Sequence, residues 1–275
     1  MLNEKKTVVW PWLVGIVLVV GLGWWLFRSA MPPHTAPPPP ASLAQVKALI
    51  QSSPQKGAAP VTPVAEPRHP IESPIAADAA IPALADSDAA AWEALSGLAG
   101  NSNALDVLLR DHVIERVVTM IDNLPRHSAS RQSLALRPLP GDLQVQVGEG
   151  GTTLAPANAA RYTLYVKVFT SADPQTLTRI YRRFYPLFQQ AYAEVGYPGG
   201  YFNDRLVQVI DHLLQAPEPT QPLQVQSDGR GHYRFVDSEL EALSIGQKAL
   251  LRLGPHQEAA VKRQLRAICT ALVQP

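Results

Sequence analysis

Residues 173–217 read DPQTLTRIYRRFYPLFQQAYAEVGYPGGYFNDRLVQVIDHLLQAP, and their periodicity decides the fold class. Asp173-Pro174 joins a capping side chain to a proline whose missing N–H costs nothing in a first helical turn. Leu177, Ile180, Tyr181, Phe184, Phe188, Ala191 and Tyr192 then recur at helical spacing, which predicts a helix with one buried face. Pro186 removes a hydrogen bond and crowds the preceding turn, so this helix is expected to be kinked or split near Tyr185. Gly196 ends it, and Tyr197-Pro198-Gly199-Gly200 makes the turn. Asn203 is predicted to cap a second helix with Leu206, Val209, Ile210, Leu213 and Leu214 inside, stopped by Pro217.

Working outward, helices dominate. Asp88 to Leu98 carries Trp92, Leu95 and Leu98, and Asn103 to Leu124 is predicted as one long helix capped by Asn103. Ser238-Glu239-Leu240-Glu241 reads as a capping box opening a helix that runs through Leu250 and Leu251. Gly254-Pro255 stops that helix and starts a last one with Val261, Leu265, Ile268 and Leu272 buried. Gln247 is expected to be a buried, hydrogen-bonded amide. Two β-hairpins interrupt the pattern, one around Val145, Val147 and Thr152-Thr153-Leu154, the other at Leu223-Gln224-Val225 and Tyr233-Arg234-Phe235. Their pairing into one sheet is left open. The expectation is thus a mainly α domain with two short β-hairpins over residues 86–275.

The amino-terminal part is of a different kind. Residues 8–27 form a charge-free apolar run with tryptophans at both ends, long enough at about 1.5 Å per residue to cross a bilayer. Arg28 places a bulky cation where a secretory signal needs a small residue before cleavage, which favours an uncleaved anchor. Lys5 and Lys6 put residues 1–7 in the cytoplasm by the positive-inside rule. Residues 28–85 hold about half of the 26 prolines and read as a Pro/Ala-rich disordered linker that acts as a spacer. From residue 86 onward, 18 Lys and Arg balance 19 Asp and Glu, which argues against a nucleic-acid partner. The lone Cys269 excludes an intramolecular disulfide.

Three runs carry a resemblance: RRFYPLFQQAYAEVGYP, GYFNDRLVQVIDHLL and ELEALSIGQKALLRLGP. They resemble the signature of the bacterial domain-of-unknown-function family 3014, over roughly residues 84–272. The resemblance implies an amino-terminal membrane helix, a variable linker and this domain, in an inner-membrane protein of Gram-negative bacteria facing the periplasm. It implies no activity, ligand or catalytic residue.

Candidate sites rest on their own chemistry. Asp204 and Asp211 lie seven residues apart on one helix face, about 10.5 Å along the axis, a weak acid/base pair for a glycan- or peptide-acting hydrolase. The plainer reading gives Asp204 to the helix dipole and Asp211 to a cation. Arg182, Arg183, Tyr197, Tyr201 and Arg205 can build an aromatic and cationic groove for a carboxylate-bearing peptide or a sugar chain; the alternative is core aromatics beside solvated arginines. No metal-ligand spacing, phosphate loop or nucleophile elbow is present, so no cofactor or metal is indicated. The reading that follows is a binding or scaffolding domain in the cell envelope, tethered by residues 8–27, with an envelope protein or peptidoglycan as partner. An envelope hydrolase and an energy-coupling tether are the alternatives.

Overall fold

The computed structural model describes residues 66–71, 81–99, 105–106, 108–130, 135–137, 139, 141–171, 173–229 and 232–273. The expected membrane segment at 8–27 and most of the expected linker lie outside these residues; among the described residues no helix is long and apolar enough to cross a membrane. The domain is mainly helical, with two small antiparallel hairpins.

After a 3-10 turn at Leu84–Asp86 come α1 (Asp88–Ala99) and α2 (Val113–Asn123). The first hairpin, β1 (Val145–Gly148) and β2 (Gly151–Leu154), leads into the short α3 (Ala157–Ala160) and α4 (Thr163–Thr170). Then follow α5 (Pro174–Glu194), α6 (Phe202–Leu214), β3 (Val225–Ser227), β4 (Tyr233–Phe235), α7 (Ser238–Glu241), α8 (Ile245–Arg252) and α9 (Pro255–Val273). Helix α9 lies at the centre, touching α4, α5, α6 and α8, and buries Val261, Leu265, Ile268 and Leu272. Helix α5 packs between α2 and α9. The Phe188 and Phe202 rings stack at 5.6 Å and hold α5 to α6. Each such buried ring contributes about 1.5–3 kcal/mol.

Four expectations change. Helix α5 is not split at Pro186; it is one continuous helix from Pro174 to Glu194. Pro186 is exposed, so its gap in the hydrogen-bond ladder faces water, while buried Phe184, Leu187 and Phe188 pin the helix on both sides. The long helix predicted from Asn103 begins only at Val113, and Asn103 itself lies outside the described residues. Its start is set from α1: the Asp88 carboxylate accepts the N–H groups of His112 and Val113, each at 2.8 Å, with His112 in the left-handed region at φ 52°. Upstream, Leu108 makes a bridge to Leu136 instead of continuing a helix.

Asn203 does not cap α6 either; it lies within the helix. The cap comes from α5, where Gln189 Oε1 accepts the Phe202 N–H at 2.9 Å and Gln189 Nε2 donates to the Gly200 carbonyl at 2.7 Å. The capping box predicted at Ser238 and Glu241 is displaced too. Asp237 caps α7, and the box belongs to Ser244 and Gln247 at the start of α8, so the predicted single helix is two. Glu241 instead accepts the Phe235 N–H at 3.0 Å and a hydrogen bond from Lys248.

Gln247 is a buried amide as expected, donating to the His212 carbonyl at 3.1 Å. Both hairpins form. They are separate two-stranded sheets joined by one bridge, Thr153 to Gln224, and by the Leu154 N–H on the Leu223 carbonyl at 2.9 Å. No element was expected at 157–170; β-branched Thr163, Val166, Val168 and Thr170 hide α4, whose Val166 and Phe169 face the core.

Candidate functional site

The residues of the expected aromatic and cationic groove do not assemble into one. Arg205 reaches across to α2, its Nε donating to Asp122 Oδ1 at 2.8 Å and its Nη2 to the Asp122 carbonyl at 2.9 Å. Arg126 donates to the other carboxylate oxygen at 2.8 Å, and the Tyr197 hydroxyl lies 3.4 Å from it. Tyr197 stacks on Tyr192 at 4.7 Å. Asp122, 2% exposed, is thus the centre of a tie between α2 and α6. Removing one partner from such a buried pair strands a charge, so the cluster reads as structural. Arg183 is exposed on α5, its guanidinium 5.4 Å from the Phe184 ring, and Arg182 is half-buried beside it. Eleven residues of α5 separate Arg183 from the Glu194 end where Tyr197 follows, about 16 Å of helix. Tyr201 is half-buried near Tyr185, at whose phenol burial raises the pKa.

The two aspartates also part company. Asp204 Oδ2 accepts the Arg68 N–H at 2.9 Å and Oδ1 the His69 N–H at 2.8 Å, so both oxygens hold backbone from the region expected to be linker. Asp211 is exposed, and its charge adds to the burial that raises the Cys269 thiol. Neither is poised against the other as an acid/base pair needs.

Further buried charges lie on α8 and α9. Lys262, 1% exposed, donates to the Ala216 carbonyl at 2.6 Å and to Glu218 at 2.9 Å, and pairs with Glu258 at 3.0 Å. Burial raises the Glu258 pKa, whereas the hydrogen bond from Lys262 and then its charge lower that of Glu218. Arg252, 4% exposed, lies 5.2 Å from the Phe235 ring and donates to the Tyr233 carbonyl at 3.4 Å; burial pushes its guanidinium down to about 10. Both sit on helices that carry apolar residues at core spacing, so nothing in the local pattern distinguishes them from solvated cations.

Arg252 and Glu258 line a cavity of about 1160 Å³ between the two hairpins and the start of α9. Its walls come from β2, residues 219–224, α3 and residues 251–258. Gln146, Thr153, Thr163, Thr220, Gln221 and Gln224 supply uncharged hydrogen-bonding groups, interleaved with glycine and proline; His256 also lines it, and no Phe, Tyr or Trp is among the lining residues. The two hairpins meet along Leu154 and Thr153, which contact Leu223 and Gln224, and through the Gln224 amide on the Gly150 carbonyl. Asn158, 1% exposed, fixes the floor by donating to the Arg252 carbonyl at 3.1 Å, and Gln257 ties α9 to α3 through the Ala159 carbonyl at 2.9 Å. Among the described residues, no group of His, Cys, Asp and Glu has the arrangement of a metal site.

A family model described as a protein of unknown function (DUF3014) matches residues 113–269, from the first residue of α2 to Cys269 on α9. No curated protein and no solved structure matches the chain.

Proposed function

The chain belongs to the DUF3014 family, and from that premise we propose that it is an envelope binding module: residues 8–27 anchor it in the inner membrane, and the folded domain captures a protein partner in the periplasm. The cavity between the hairpins carries this reading. Its volume suits a ligand of several residues, and its walls offer many amides and hydroxyls beside the Arg252, His256 and Glu258 side chains. An extended peptide presents the matching donors and acceptors along its backbone. A glycan strand would ordinarily find Trp, Tyr or Phe rings to stack on, and none is among this cavity's lining residues. The hydrolase alternative loses support because Asp204 is engaged by the Arg68 and His69 amides.

The test uses the full-length chain in cells, with a photo-crosslinker at Gln221 on the cavity wall or at Arg183 on α5. The expected result is one dominant protein adduct from Gln221 and none from Arg183. A glycan adduct at Gln221, or equal protein adducts at both positions, would overturn the reading. Protease added to spheroplasts should remove the domain; protection of the domain would place it on the cytoplasmic side and exclude a periplasmic partner.

A further inference from the structure

Residues 66–71 have the sequence Glu-Pro-Arg-His-Pro-Ile and lie on the amino-terminal turn of α6, more than 130 residues away along the chain. Pro67 and Pro70 lack N–H groups, so Arg68 and His69 form a proline-bracketed pair of consecutive donors. The Asp204 carboxylate takes both, one on each oxygen, at 2.9 and 2.8 Å. Two successive backbone N–H groups converging on one anion make a nest, a geometry that depends on the backbone and not on the side chains. Asn203, 0% exposed, completes the grip: its Nδ2 donates to the His69 carbonyl at 2.8 Å. Ile71 packs against the main core, and the Arg68 side chain points into solvent.

The grip is incomplete on one side. Asn203 Oδ1 is buried and accepts no hydrogen bond from any described residue. A buried acceptor left in this way is costly, and the occupant has prolines on either side of its two donors, where another residue would offer an N–H. The site is therefore built to read peptide backbone, and the segment that fills it does not use all of it.

We propose that Asn203 and Asp204 form a peptide-binding site that residues 66–71 occupy in cis, as an exchangeable strap. The ligand class is a peptide that presents two successive amide N–H groups followed by a carbonyl, and such a peptide from a partner displaces the strap. Pre-set proline φ angles lower the ordering cost of the cis segment, so the strap holds the site at modest intrinsic affinity. Displacement frees the end of the tether next to the domain without unfolding the core.

Amide hydrogen exchange read by mass spectrometry on the full chain in detergent micelles tests this. In the wild type, the peptide containing Arg68 and His69 should exchange at least tenfold more slowly than in Asp204→Ala, with α5 and α9 equally protected in both. That equality separates loss of the strap from loss of the fold. Adding a large excess of a synthetic peptide of residues 64–73 to the wild-type chain should speed exchange of its own strap toward the Asp204→Ala value. Unchanged strap exchange in Asp204→Ala overturns the clamp, and strap exchange unmoved by the added peptide overturns the exchangeable site.

Discussion

The α5–α6 half of the domain leaves a cavity of only about 40 Å³ among its apolar side chains, whereas the hairpin half leaves one of about 1160 Å³. Along α5 and α6, Leu177, Phe184, Phe188, Phe202, Ile210 and Leu213 are all buried, and the polar groups Gln189 and Arg205 bind neighbouring elements. Between the hairpins and the start of α9, short strands, prolines and glycines leave about 1160 Å³ open. The first arrangement is what a periodic apolar sequence dictates; the second depends on turns that hold elements apart. Close packing stabilises, while concave, hydrogen-bonding surface between rigid elements is where ligands bind. The contrast therefore assigns stability to the packed core faces of α5 and α6 and the cavity's recognition to the hairpin half, with the Asn203–Asp204 strap site at the rim of the first.

The largest expected effect lies in the filled half. Phe202→Ala removes a ring that stacks on Phe188 and touches Tyr181 and Tyr192, and should cost about 3–5 kcal/mol in denaturant unfolding. Thr220→Ala on the cavity wall should cost under about 0.5 kcal/mol in the same assay. Similar losses for the two would erase the distinction between the halves.

Asp122→Ala comes next. It strands Arg205, whose side chain is 21% exposed, and Arg126, which is 53% exposed and can rehydrate, so about 2 kcal/mol is expected, below the 3–5 of a fully buried pair. If Arg205→Ala in the Asp122→Ala background costs as much as it does alone, the tie between α2 and α6 is not energetic. Gly246→Ala sharpens the comparison where the halves meet. A Cβ there would lie 2.5 Å from Leu213 Cδ2 and 3.2 Å from the Leu124 carbonyl oxygen, so the buried Leu213 side chain or α8 must give way, at about 1–2 kcal/mol by thermal unfolding. A wild-type melting temperature would show that Leu213 or α8 has room to move.

The legibility of the sequence follows the same division. Apolar spacing located α5, α6 and α9 because their stability comes from one buried stripe, and turn chemistry located both hairpins. Contacts distant in sequence stayed hidden. Asp88 starts α2 from another helix, Gln189 caps α6 from α5, and Asp204 holds residues 66–71, each through a side chain whose partner no local pattern names. Of the expected site residues, Arg205 and Tyr197 converge, but on Asp122 and as a tie; the cavity arises from three separate segments and left no motif.

The smallest expected effect is a pH dependence. Burial lowers the His212 pKa, and its Nε2 lies 2.9 Å from the Ser244 hydroxyl that caps α8. A histidine depressed in the folded state adds stability that is present above its unfolded pKa, near 6.5, and is lost as pH falls through the lower folded value. Unfolding at pH 7.5 and at pH 5 should show this loss, and His212→Gln should shrink it. An equal loss in the variant would assign the acid sensitivity to other groups.

The most direct test fills the open half. Thr153→Trp, introduced into the full-length chain carrying the crosslinker at Gln221, places an indole inside the cavity wall. Recognition by this cavity predicts that the protein adduct disappears while the unfolding midpoint stays within a few degrees of the wild type. An adduct undiminished in the filled variant would contradict it and move recognition elsewhere on the domain.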